Sequence, residues 1–237
     1  MQRTPTIPVR PQASAPSRMS FDAFMKTYEG RFAEWVDGEV IEFMPASSTH
    51  QALLNFLNHL IDLYAKLFNL GTVQLALYAM RATPGGSLRE PDLMFIATEN
   101  ITRRTEKYLA GPADLVVEIV SPESVHRDRD EKYHEYARGG IREYWVIDSR
   151  PNRHRADFHR LLPEGHYELF ATEDDERVES AVLPGFWLNP AWLWEAGERD
   201  PLLTLMEIRG LSPAAAEQVR ALLLGDSGTA GQEGVSG

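Results

Sequence analysis

At 237 residues, 43% apolar and 25% charged, the chain is long enough to bury one sizeable core, and its lack of any cysteine excludes disulfides, thiolate catalysis and cysteine zinc sites. No apolar run approaches the roughly 18 residues that span a bilayer, and Pro5, Pro8, Pro11 and Pro16 interrupt any signal-peptide core, so a cytoplasmic protein with no membrane partner is expected. The net charge of −11 argues against a polyanionic partner, yet residues 161–237 carry 14 acidic and 4 basic side chains, leaving the first 160 residues nearly neutral.

Residues 1–17, rich in Pro, Ser, Thr and Ala without periodicity, read as a disordered lead-in. Ser20 has the character of an N-cap for a short helix holding Phe21, Phe24 and Met25. A hairpin follows, Phe32–Val36 and Glu39–Met44, turned at Asp37-Gly38. Ser48 and Gln51 have capping-box spacing, and Leu53, Leu57, Leu60, Tyr64 and Leu67 then form one helical face, stopped by Gly71. Thr72–Arg81 alternates as a strand up to Pro84-Gly85-Gly86.

Three further strands are expected at Asp92–Ala97, Asp114–Val120 and Glu143–Asp148. The second is nearly all aliphatic, as in a strand buried on both faces. A helix over Asp128–Arg138, ended by Gly139-Gly140, links it to the third, and such a crossover implies a parallel pair. A second hairpin, Ala156–Leu162 and Tyr167–Ala171, turns at Glu164-Gly165. Trp187, Trp192 and Trp194 read as packing over the core, residues 202–209 and 212–224 as short helices, and 225–237 as a disordered tail. The fold class is α/β (α+β): a central mixed sheet flanked by helices, with an N-terminal hairpin.

Two carboxylates break this apolar pattern. Asp92 opens a strand directly after Pro91, and Glu118 lies among Val117, Ile119 and Val120. A buried carboxylate needs a cation or dense hydrogen bonding. Two at neighbouring points of a sheet suit a hard divalent ion such as Mg²⁺, which takes one or two carboxylates and keeps its waters. The plainer reading of Glu118 is a salt bridge to an arginine or exposure at the strand end. Lys132, on the following helix, could return its ammonium over that strand end; the plainer reading is an i,i+4 pair with Asp128. His50 falls in the first helical turn, where free N–H groups attract anions, and it could equally be an ordinary helix-terminus residue. Glu34 could be a further acid of the site or a solvated strand residue. Arg103, Arg104, Arg127 and Arg129 could touch nucleic acid or form a solvated face. His126, His134, His154, His159 and His166 show no metal-ligand spacing, and no phosphate-binding glycine loop or serine elbow is present.

The ordered set Glu34…Asp37-Gly38-Glu39, His50-Gln51, Glu90-Pro91-Asp92, Asp114…Glu118-Ile119-Val120-Ser121-Pro122, Asp128, Lys132, Tyr136, Gly140 and Glu143-Tyr144-Trp145…Asp148 resembles the signature of the Uma2 (DUF820) family, within the PD-(D/E)XK nucleases, across about residues 20–195. The resemblance implies a restriction-endonuclease-like domain over 18–196, with 197–224 as a helical extension. It implies a DNA endonuclease dependent on Mg²⁺ or Mn²⁺, with Asp92, Glu118 and the Ile119 carbonyl on the metal and Asp92, Glu118, Lys132 and His50 catalytic. One departure is that the usual lysine, two residues after the acid, is replaced by Val120, so Lys132 inherits the role from the helix. A homodimer follows by analogy with enzymes that cut two strands. The rival is a non-catalytic binding protein on the same fold. The third alternative is an unrelated α/β protein in which Asp92 and Glu118 are merely paired with arginines, which carboxyls on opposite faces of the sheet would favour.

Overall fold

The computed structural model describes residues 18–43 and 46–224. The expected lead-in 1–17 and tail 225–237, and the end of the first hairpin at Met44, lie outside the described residues. In chain order the elements are α1 (Phe21–Thr27), β1 (Ala33–Val36), β2 (Glu39–Glu42), α2 (Ser48–Leu67), β3 (Gly71–Leu75), β4 (Ala79–Arg81), β5 (Leu93–Ala97), a 3₁₀ turn (Thr98–Arg103), β6 (Tyr108–Ala110) and β7 (Leu115–Ile119). A π-helical turn (Arg127–Glu131) then runs into α3 (Lys132–Gly139), followed by β8 (Glu143–Asp148), β9 (Arg155–Leu161), β10 (Tyr167–Thr172), β11 (Val178–Glu179), β12 (Trp187–Leu188), α4 (Ala191–Trp194), α5 (Pro201–Ile208) and α6 (Pro213–Leu224). No helix among the described residues is long and apolar enough to cross a membrane.

Six strands form the central sheet in the order β10-β9-β8-β7-β5-β3. Only β7 and β8 run parallel, joined by the helical crossover, and every other neighbouring pair is antiparallel. This is the mixed α/β sheet that the aliphatic run of β7 implies. Alternation along each strand divides the core. Leu93, Phe95, Leu115, Val117, Ile119, Trp145, Ile147 and Phe158 face α2, where Leu53, Leu57, Leu60, Ile61 and Tyr64 meet them. Met94, Ile96, Val116, Val120, Tyr144 and Val146 face the other way, onto Tyr136, Ala137 and Ile141. Leu205 and Ile208 of α5 and Trp192 join the α2-side cluster, and Trp187 Nε1 donates to the Ile208 carbonyl at 3.1 Å.

Three local features differ from the expectation. Ser47, not Ser48, caps α2, its hydroxyl accepting from the His50 amide at 3.2 Å. That helix ends through Asn69 in the left-handed region (φ 54°). Gly71 instead opens β3, where the sheet leaves no room: a Cβ there would lie 2.1 Å from the Ile96 carbonyl oxygen. The stretch 72–81 is two strands, because a turn closed by Tyr78 N–H donating to Leu75 O at 3.0 Å sends β4 out of the main sheet to pair with β6.

Candidate active site

Glu118 belongs to β7, and its neighbours of like parity, Val116 and Val120, pack on the α3 side. Leu93 pairs antiparallel with Val117, so Asp92, one residue before β5, stands opposite Glu118. Asp92 shares parity with Met94 and Ile96, which face the same side. The register thus brings the two acidic residues opposite each other at one end of the sheet.

Asp92 is held at both oxygens: Oδ2 accepts from the Ile119 amide at 2.7 Å, and His50 Nε2 lies 3.1 Å from Oδ1. An extended residue sends its N–H and C=O to the same neighbouring strand, so the Ile119 carbonyl also points to the Asp92 side. His50 reaches Asp92 because the Ser47 cap fixes the first turn of α2 beside the end of β5.

Lys132 Nζ sits 2.8 Å from Glu118 Oε1, 3.1 Å from Glu34 Oε1 and 3.5 Å from Asp128 Oδ1. The i,i+4 pair with Asp128 is thus one arm of a three-carboxylate cradle. Tyr136, one turn further along α3, also donates to Glu118 Oε1, at 2.9 Å. Among the described residues Oε2 of Glu118 accepts no hydrogen bond. The π-helical turn presents Asp128 at the start of the crossover, and the Tyr144 hydroxyl anchors that turn by donating to the Asp128 carbonyl at 2.7 Å. Such turns interrupt helices frequently at functional sites.

The cluster is nearly closed to solvent. Side chains of Glu34, Lys132 and Glu118 are 0, 3 and 4% exposed, whereas Asp92 and His50 keep 21 and 12%. Burial therefore dominates the electrostatics. Burial pushes the Glu118 carboxyl up to about 8; the Lys132 ammonium opposes this, and the charges of Asp128, Asp92 and Glu34 add to it. Burial likewise raises Asp128, with Lys132 opposing. For Glu34 burial is outweighed by Lys132 and Arg89, whose charges and hydrogen bonds hold its carboxyl below the ordinary value. Burial would lower Lys132, but Glu118, Glu34 and Asp128 raise it well above the usual lysine range, so it stays charged. Glu34 is thus the ionised acid of the cluster, whereas burial works against the charge on Glu118 and Asp128.

Among the described residues no three His, Asp or Glu side chains converge as a ready metal cage. The donor set fits a smaller demand: two facing carboxylates, an open Glu118 oxygen and a nearby carbonyl suit a hard cation that retains water ligands.

The structure brings together Asp92, Glu118, Lys132, His50, Ile119 and Glu34. Of the four arginines, Arg103 donates to the Pro112 carbonyl at 2.7 Å and Arg104 is exposed, while Arg127 and Arg129 flank Asp128 on the π-helical turn, Arg129 pairing with Asp157 and Arg127 lying over the Phe43 ring at 5.1 Å. Sequence reasoning passed over Arg89, whose buried guanidinium binds Glu34, and named Tyr136 within the family signature but not as a donor to Glu118. The available signal for Arg89 was a lone cation between Leu88 and the Glu90-Pro91-Asp92 run.

A central mixed sheet flanked by helices, its one parallel pair joined by a helical crossover, places the chain in the restriction-endonuclease-like class of α/β folds. The family model for Uma2, described as "Putative restriction endonuclease", matches residues 21–191. The chain belongs to the Uma2 family. A solved structure from Anabaena variabilis, titled a "putative nuclease belonging to DUF820", superposes with a TM-score of 0.60 at 19% identity, covering 74% of this chain and 97% of that one. None of the curated proteins searched matches the chain.

Proposed function

We propose that this protein is a nuclease that hydrolyses DNA phosphodiester bonds with the help of Mg²⁺ or Mn²⁺. One observation carries the reading: the strand register sets Asp92 opposite Glu118 at one sheet end while the Lys132 ammonium lies 2.8 Å from Glu118. The divalent ion, when bound by Asp92, Glu118 and the Ile119 carbonyl, would polarise the phosphate and lower the pKa of a bound water. The protein's own groups supply the rest. Lys132, kept charged by its carboxylate cradle, stabilises the charge that develops on the phosphoryl oxygens. His50 fixes the Asp92 carboxyl and stands at the accessible mouth, where a substrate phosphate or water would meet it. A cation arriving at Glu118 would favour its ionised form against the burial that raises its pKa.

Asp92→Asn and Glu118→Gln, assayed on supercoiled and linear DNA with Mg²⁺ and with Mn²⁺, test this. Cleavage is expected to vanish in both while the melting curves remain cooperative. Cleavage at the wild-type rate in both variants overturns the site assignment. A second reading, a non-cleaving binding protein on the same fold, draws support from the near-complete burial of the Glu118–Lys132 pair. It predicts no thermal stabilisation by Mn²⁺; the nuclease reading predicts stabilisation that disappears in Glu118→Gln. Cutting both strands would be served by a homodimer, which light scattering on the purified protein checks.

A further inference from the structure

The chemistry just described leaves Arg89 unused, although it is among the most confined cations in the chain at 3% exposure. Its guanidinium bridges two elements. Nη1 donates to Glu34 Oε2 at 2.9 Å, while Nε and Nη2 both donate to Glu135 Oε2 of α3, at 2.9 and 2.6 Å. The other oxygen of Glu34 accepts from the Glu90 amide at 3.2 Å and lies 3.1 Å from Lys132 Nζ. Glu34 is thus engaged on both oxygens by protein donors, with no exposed edge.

We propose that Arg89 is a positioning residue: it fixes Glu34, and Glu34 in turn fixes the Lys132 ammonium relative to the sheet, acting as a tether and not as a metal ligand. The inference rests on the nuclease reading and concerns the same site. An ammonium on a four-carbon stem is mobile unless its donors are all engaged. Two of its three carboxylate partners are poor anchors. Glu118 is shared with the proposed metal, so its hold on Lys132 weakens when a cation arrives. Asp128 lies four residues away on the same helix, moves with it, and approaches only to 3.5 Å. Glu34 comes from β1, a different part of the fold, and is the contact from outside α3 that a cation on Glu118 would leave intact. A fully buried carboxylate stays ionised only beside compensating charge, and Arg89 supplies what Lys132 alone does not. The planar fork matters, since it reaches Glu34 and Glu135 at once.

The test uses Glu34→Gln and Arg89→Lys in the full chain. The first keeps shape and removes charge; the second keeps charge and removes the fork. Three readouts are compared with wild type: the side-chain ¹⁵N ammonium resonance of Lys132 without added metal, Mn²⁺ affinity by calorimetry, and kcat and KM on DNA. A buried, hydrogen-bonded ammonium exchanges slowly enough to be seen, and the resonance is expected to be lost or broadened in both variants. Mn²⁺ affinity is expected to stay at the wild-type value, and kcat to fall by about 10- to 100-fold, as for other residues that orient an active group, with KM unchanged. An unaltered Lys132 resonance in Glu34→Gln overturns the tether. So does a loss of Mn²⁺ affinity of about tenfold or more in that variant, the scale expected on removing a metal-site contact. If wild type fails to cleave while the resonance is lost and Mn²⁺ affinity is kept, the tether stands and the nuclease reading falls. Should Arg89→Lys not fold, Glu34→Gln decides the matter alone.

Discussion

Lys132 and Tyr136, one helical turn apart on α3, donate to the same oxygen of Glu118, at 2.8 and 2.9 Å. Two donors on Oε1 orient the carboxyl and leave its other oxygen without a hydrogen-bond partner among the described residues. Helix spacing alone produces this: residues four apart share a face, and the face is the one that β7 presents to α3.

Tyr136→Phe keeps the ring packing and removes one of the two donors. The expected cost is about 0.5–1.5 kcal/mol in urea unfolding, together with a lower cleavage rate as the carboxyl loses its fixed orientation. A variant as active and as stable as wild type would show that Lys132 alone orients Glu118.

Lys132→Met removes the only ammonium from a cradle of three buried carboxyls. Breaking one side of a buried ion pair costs about 3–5 kcal/mol, so a large drop in unfolding free energy at neutral pH is expected, with complete loss of cleavage. Lys132→Arg restores charge but not the compact three-way geometry, and is expected to recover stability in part and activity not at all. Activity in Lys132→Met would remove the amine from the mechanism.

His159 offers a pH test away from the site. Burial, reinforced by the charges of Arg129 and Arg155, lowers its pKa to about 4. The unfolded chain, with a histidine near 6.5, binds the extra proton more readily, so His159 contributes stability that is complete above about pH 6.5 and is lost as pH falls toward 4. Glu118 acts oppositely, because a raised carboxyl pKa favours the folded state at lower pH. The informative quantity is therefore the difference between wild type and His159→Gln. Between pH 7 and pH 4.5 the variant is expected to lose less stability on acidification, followed by chemical denaturation. Parallel curves would show that His159 is not titrating abnormally.

Gly71→Ala inserts a methyl group against the Ile96 carbonyl, with Ala97 Cα also within 2.9 Å. β3 must move away from β5, at a cost of about 1–3 kcal/mol, visible as a lower melting temperature. An unchanged melting point would mean that this edge strand shifts freely.

Much of the sheet was legible in the sequence because its signals are local. The aliphatic run of β7, the crossover helix ending at Gly140 and the Asp37-Gly38 hairpin each follow from a few adjacent residues. The single strand expected over 72–81 failed for the opposite reason: alternation continues through both β3 and β4, and only their separate partners, β5 and β6, tell them apart. At the site, Asp92, Glu118 and Lys132 stood out as charges in apolar or motif positions. Arg89 did not, because its meaning depends on Glu34, 55 residues away, and on Glu135 of α3. A mutual pairing of distant buried charges leaves no periodic trace along the chain.

The opposition of Asp92 and Glu118 rests on β5 and β7 being aligned residue for residue. Side chains alternate along a strand, so adding or deleting a single residue within Leu93–Ala97 would reverse its inward and outward faces and carry the aspartate around to the α2 layer. The connection between Ala97 and Leu115 is tied down in another way, because β6 within it pairs in register with β4. A change of length can be absorbed only outside these paired segments, where it would reshape what surrounds the acids and leave the spacing that pairs them.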